Sequence, residues 1–111
     1  KSKLHLACIT GADLNYDGSL EIDIELMNAA GINEYEQLHV YNNTNGNRYI
    51  TYAIKGPAGS RVISAHGAGA HLVSTNDRVI ICTYQMVAPA VLSSDYRPTI
   101  IRLNEQNMIQ P

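Results

Sequence analysis

No apolar run in this sequence approaches the roughly 18 residues that a membrane-crossing helix requires. The opening residues, Lys1-Ser2-Lys3, lead into an alternating pattern rather than a signal-type apolar block. Both absences point to a cytoplasmic protein with no membrane partner. The sequence starts at Lys1 without a methionine, so a few residues, or a processed start, are expected ahead of it. A basic stripe is missing too: the eight Lys and Arg are scattered from Lys1 to Arg102 against ten Asp and Glu, and the formal net charge of −2 argues against a nucleic-acid partner.

Cysteine is scarce. Cys8 and Cys82 each lie in an apolar run without CxxC or Cys/His spacing, which predicts two buried thiols rather than a disulfide framework or a thiolate site. The histidines, His5, His39, His66 and His71, show no HExxH-like cluster, so no metal site is expected. The segment Gly67 to Ala70 lacks the GK[ST] ending of a phosphate loop, and Asn42-Asn43-Thr44 means nothing as a glycosylation acceptor without a secretory signal. No internal repeat, low-complexity tract or interdomain linker breaks the chain.

What is present suffices for one small domain, residues 1–111: 45% of the residues are apolar and 16% charged, as in an ordinary globular protein. Leu4, Leu6 and Cys8 alternate with their neighbours in a strand that ends at Gly11. Asp17-Gly18 is a tight-turn dipeptide, and Leu20, Ile22 and Ile24 alternate with Glu21, Asp23 and Glu25 in a half-buried strand running into a helix. That helix is expected over Glu25 to Ala30, with Asp23 as N-cap and Gly31 as its stop. Leu38 to Tyr41, the turn at Asn45-Gly46 and Tyr49 to Ile54 form a hairpin. Arg61 to Ala65, the continuous apolar run Val79 to Tyr84 and Thr99 to Leu103 supply further strands, and Asn104 to Pro111 reads as a poorly ordered tail. Six or so short strands with one or two short helices argue for a closed or nearly closed barrel, since closure removes unpaired strand edges.

Two features carry chemistry. In Tyr16-Asp17-Gly18-Ser19 a hydroxyl residue follows a turn glycine directly, so the serine Oγ can attack the preceding carbonyl in a strained turn. Taken alone it is equally the tip of a hairpin. In Arg48-Tyr49-Ile50-Thr51-Tyr52 the two-residue period puts Arg48, Ile50 and Tyr52 on one face, where Arg48 and Tyr52 could line one cavity. An arginine suits a carboxylate, and a tyrosine hydroxyl can donate a proton in a desolvated site. The bland alternative is a solvated arginine beside a packed tyrosine.

Together these stretches resemble the pyruvoyl-dependent aspartate 1-decarboxylases. The likeness runs through Lys3-Leu4-His5, Ala12 to Ser19 with Ile22-Asp23, Asn45 to Ile54, and Gly59 to Ser64 leading to Gly67-Ala68. It implies a double-psi β-barrel, assembled as a homotetramer with sites between subunits. It also implies self-cleavage between Gly18 and Ser19, giving a small chain 1–18 and a large chain 19–111 that begins with a pyruvoyl cofactor made from Ser19. Thr51 would assist this maturation, and a helper protein is a candidate partner for it. By the same resemblance Ser19, as pyruvoyl, forms the Schiff base with L-aspartate, and Tyr52 is the proton donor. Arg48, Lys3, Gly67 and Ala68 bind the substrate, and β-alanine and CO2 are released for pantothenate synthesis.

Two positions depart from the family's pattern: Leu6 stands where arginine is usual, and His66 where asparagine is usual. Losing an arginine removes a charge-assisted contact, and histidine brings a titratable group near the cofactor. Two rivals therefore remain: a barrel with weakened catalysis serving as a binding module, and a pyruvoyl decarboxylase of another acidic amino acid such as glutamate.

Overall fold

The alternating apolar pattern at the start of the chain becomes β1 (Ser2–Cys8), which buries Leu4, Ala7 and Cys8. The computed structural model describes residues 1–111. Contrary to the sequence reading, the chain does not leave the sheet at Gly11 but opens a short second strand there, β2 (Gly11–Asp13). A turn over Leu14 to Asp17 leads to β3 (Ser19–Asp23), which passes directly into α1 (Ile24–Ala30). The helix ends match the expected caps. The buried Asp23 carboxylate accepts from the Glu25 N–H at 2.8 Å and also from the backbone N–H of Arg61 at 2.7 Å, while Gly31 takes a left-handed conformation with φ 71°.

The hairpin follows as β4 (Gln37–Asn42) and β5 (Arg48–Gly56), antiparallel, with Gly46 at φ 84° in the connection. Next come β6 (Ile63–His66), a 3-10 turn over Gly67–His71, β7 (Arg78–Thr83), a second 3-10 turn over Pro89–Val91, and β8 (Thr99–Arg102). The eight strands form one barrel-like sheet in the order β2-β6-β3-β5-β4-β7-β1-β8. The pairs β1·β8, β2·β6 and β3·β5 are parallel and the others antiparallel, a mixed topology in keeping with a double-psi β-barrel. One cluster of 18 buried residues, from Leu4 to Leu103, fills the interior, and α1 adds Leu26, Met27 and Ala30 to it.

Two further expectations change. The run Val79 to Tyr84 is not buried on both faces: Val79, Ile81 and Thr83 point into the core, whereas Ile80 and Cys82 are half-buried on the outer face. Only one face of this sheet has a core to pack on, so Cys8 is a buried thiol and Cys82 is not. The segment from Asn104 onward is not a loose tail. Leu103 and Ile109 form a β-bridge, and Asn107, 1% exposed, plugs the end of β1. Its side chain accepts from the Cys8 N–H at 2.7 Å and donates to the carbonyls of Cys8 and Arg61, both at 2.9 Å.

Removing that plug leaves three buried backbone groups without partners. Asn107→Ala should therefore destabilise the fold by about 3 kcal/mol in urea unfolding. A change within about 0.5 kcal/mol would mean that the C-terminal segment contributes little.

Candidate active site

The Gly18-Ser19 bond sits where the turn after β2 enters β3, and its backbone is strained at Ser19. Gly18 has φ 115° and Ser19 has φ 147°, a region that a residue with a β-carbon rarely occupies and that costs about 1–3 kcal/mol. The turn is held from two directions. Gly67, at φ 74°, passes so close that a β-carbon there would lie 2.6 Å from Gly18 Cα and 2.7 Å from Gly18 N. From β5, the Tyr52 hydroxyl donates to the Gly18 carbonyl oxygen at 2.7 Å.

Ser19 itself is 3% exposed. It pairs across the antiparallel β3·β6 ladder with His66, and its Oγ lies 3.3 Å from His66 Nδ1. The other ring nitrogen, Nε2, lies 3.5 Å from Glu21 Oε1, and the Tyr16 ring stacks on the imidazole with centroids 4.5 Å apart. These residues, with Asp17, Ile54 and Lys55, line a cleft of about 360 Å³. Glu21 and Tyr16 did not emerge from the sequence as site residues. The signal for Glu21 was there, since Ser19 and Glu21 are two apart on one strand and face the same way.

The remaining sequence candidates fall into two groups. Gly67 abuts the Gly18 turn, and Ala68 follows it, exposed, in the 3-10 turn. Arg48, Lys3 and Thr51 lie outside the Ser19 cleft. Arg48 and Tyr52 do share the outer face of β5, but they do not line one cavity: four residues of strand separate them by about 13 Å. The Arg48 guanidinium instead stacks on Tyr41, 4.9 Å from the ring centroid, in a hollow with His39, Tyr49 and Ile50. Lys3 lies in another hollow with Lys1, Tyr84 and Ile100. The ladder registers nevertheless put Ile100, Lys3, Cys82, His39 and Ile50 in one row across the outer face. Thr51 points the opposite way from Tyr52 on β5 and makes no side-chain hydrogen bond.

Tyr49, on the same face as Thr51, packs beneath the 3-10 turn, where a β-carbon on Gly69 would come within 2.5 Å of its ring. Burial pushes the Tyr49 hydroxyl up to about 12. Leu6, the first departure from the family's pattern, has φ 60° and sits where the β1·β7 register shifts between Leu4 and Ala7. His66, the second departure, is the residue that touches Ser19.

A small barrel thus holds a buried serine next to a turn glycine, with a hydroxyl donor on that glycine's carbonyl. Comparisons with known proteins identify the family. Residues 1–110 match the family described as aspartate decarboxylase. The aspartate 1-decarboxylase of Alkalilimnicola ehrlichii is 52% identical over 109 residues, covering 98% of this chain and 86% of that protein. The aspartate 1-decarboxylase of Caulobacter vibrioides is 50% identical over 110 residues, covering 99% of this chain and 92% of that protein. The chain belongs to the aspartate decarboxylase family.

Gly67→Ala adds a β-carbon at a positive φ with backbone 2.6 Å away, whereas the same change at Gly46 meets nothing within 4 Å. Urea unfolding should show a loss above about 2 kcal/mol for Gly67→Ala and about 1 kcal/mol for Gly46→Ala. Equal losses would mean that the Gly67 contact does not constrain the turn.

Proposed function

We propose that this chain is the precursor of a decarboxylase that divides itself between Gly18 and Ser19, into chains 1–18 and 19–111, and converts Ser19 to a pyruvoyl group. The mature enzyme removes the α-carboxylate of L-aspartate, releasing CO2 and β-alanine, which feeds pantothenate synthesis. The observation that carries this reading is the hydrogen bond from Tyr52 to the Gly18 carbonyl at a strained Gly-Ser bond. When Ser19 Oγ adds to that carbonyl carbon, charge builds on the oxygen that Tyr52 already faces. The carbon–nitrogen bond then breaks, the hydroxyl proton ends on the Ser19 nitrogen, and an ester links Gly18 to Ser19. Elimination of the Gly18 carboxylate and addition of water release ammonia and leave the ketone.

The same residues suit the mature site. The pyruvoyl group supplies a ketone for the substrate amino group and a place for the electrons left by the departing carboxylate. Departure of Gly18 frees the Tyr52 hydroxyl to deliver a proton to the carbon that loses CO2. Gly67 and Ala68 border the space that chain 1–18 leaves, and Arg48 and Lys3 hold the substrate carboxylates. Because Arg48 and Lys3 lie on the outer face, away from the Ser19 of their own chain, they would reach a Ser19 across a subunit boundary in a homotetramer. The exposed Ile50, Tyr84 and Ile100 around them give that face an apolar surface to bury. For Thr51 as an aid to maturation the family resemblance is the support. The cytoplasm is the compartment this activity implies.

Intact mass under denaturing conditions tests the reading. The wild-type chain should divide into two pieces at Gly18, and Ser19→Ala should stay a single 12.2 kDa species. Tyr52→Phe should slow division by about 10²-fold or more. Division only in the presence of cell extract would identify a maturation helper as a partner. Release of CO2 should be fastest with L-aspartate; a preference for L-glutamate would reassign the substrate, and no release from the divided chain would leave a binding module.

A further inference from the structure

Self-cleavage needs a group to take the Ser19 hydroxyl proton, and the scheme above leaves that group unassigned. We propose that His66 is this general base and that Glu21 is the residue that positions it. Ser19, His66 and Glu21 then form a hydrolase-like row directed at the chain's own Gly18 carbonyl. The inference rests on the self-cleavage reading and deepens it.

The geometry supplies each part. Ser19 and His66 are direct partners in the β3·β6 ladder, so their side chains meet on one face without any loop to position them. The Oγ to Nδ1 distance of 3.3 Å is within reach of a hydrogen bond that tightens during reaction. The Glu21 carboxylate, 3.5 Å from Nε2, favours the tautomer with its hydrogen on Nε2 and so leaves Nδ1 as the acceptor. The same carboxylate stabilises the imidazolium that forms when the proton arrives. Tyr16, stacked on the imidazole, fixes the ring plane and covers it. On the far side of the carbonyl, Tyr52 holds the oxygen.

The step balances within the chain. The Oγ proton moves to Nδ1 as the Oγ–carbon bond forms, and Nδ1 returns it to the Ser19 nitrogen as the carbon–nitrogen bond breaks. Nothing is oxidised or reduced. The groups that face His66 and would tune the step are Glu21 from β3, Tyr16 and Asp17 from the turn, and Tyr52 and Lys55 from β5.

The test follows division of freshly synthesised full-length chain by intact mass across a pH series. Wild type should divide more slowly as pH falls from about 8 to about 5, the span over which imidazoles take up a proton. His66→Asn should divide about 10²-fold more slowly at neutral pH and lose that pH step. Glu21→Gln should divide several-fold more slowly at neutral pH, because the ring loses the carboxylate that orients it and faces the imidazolium formed during the step. Thermal unfolding of each variant checks that it folds. If His66→Asn divides at the wild-type rate with the wild-type pH profile, the proposal fails while the self-cleavage reading stands. If His66→Asn does not fold, division of folded Glu21→Gln at the wild-type rate overturns the assignment. A wild-type chain that never divides overturns both.

Discussion

Gly67 lies so close to the Gly18 backbone that it has no room for a β-carbon, and the arrangement around Ser19 depends on that contact. Gly67 can approach because it takes a positive φ at the exit of β6, and the approach holds the Gly18 turn in a conformation that an unconstrained loop would leave. Ladder pairing does the rest. β6 sets His66 opposite Ser19, and β5, parallel to β3 on its other side, delivers Tyr52 to the Gly18 carbonyl. A rigid sheet thus places a serine, an imidazole nitrogen and a hydroxyl donor around one peptide bond, each within hydrogen-bonding distance.

The two halves of the chemistry lie in different parts of the fold. The residues around the Gly18-Ser19 bond converge within one chain, whereas Lys3 and Arg48 lie across the outer face of the sheet. Such a division suits the proposed self-cleavage within one chain and the proposed site between chains. The departures from the family's pattern divide in the same way. His66 sits against Ser19, while Leu6 lies in the bulged part of β1, on the strand that carries Lys3.

Local features of this fold were legible in the sequence and long-range ones were not. Asp23 and Gly31 announced α1 because capping chemistry acts within a few residues, and Asn45-Gly46 announced the hairpin for the same reason. The common face of Arg48 and Tyr52 was readable from the two-residue period, but their separation into two hollows depends on neighbouring strands. Ser19 and His66 lie 47 positions apart, so their pairing is fixed by sheet order and has no local signal. Asn107 shows the same limit: polar and terminal in sequence, it is buried because its amide alone satisfies both the N–H and the carbonyl of Cys8.

The most direct test of the central claim is the mass of the 19–111 chain before and after borohydride reduction. If Ser19 becomes a pyruvoyl group, the fragment starts with a ketone and gains the mass of two hydrogens. A fragment that starts with serine and is unchanged by reduction, or a chain that stays whole, would contradict the account.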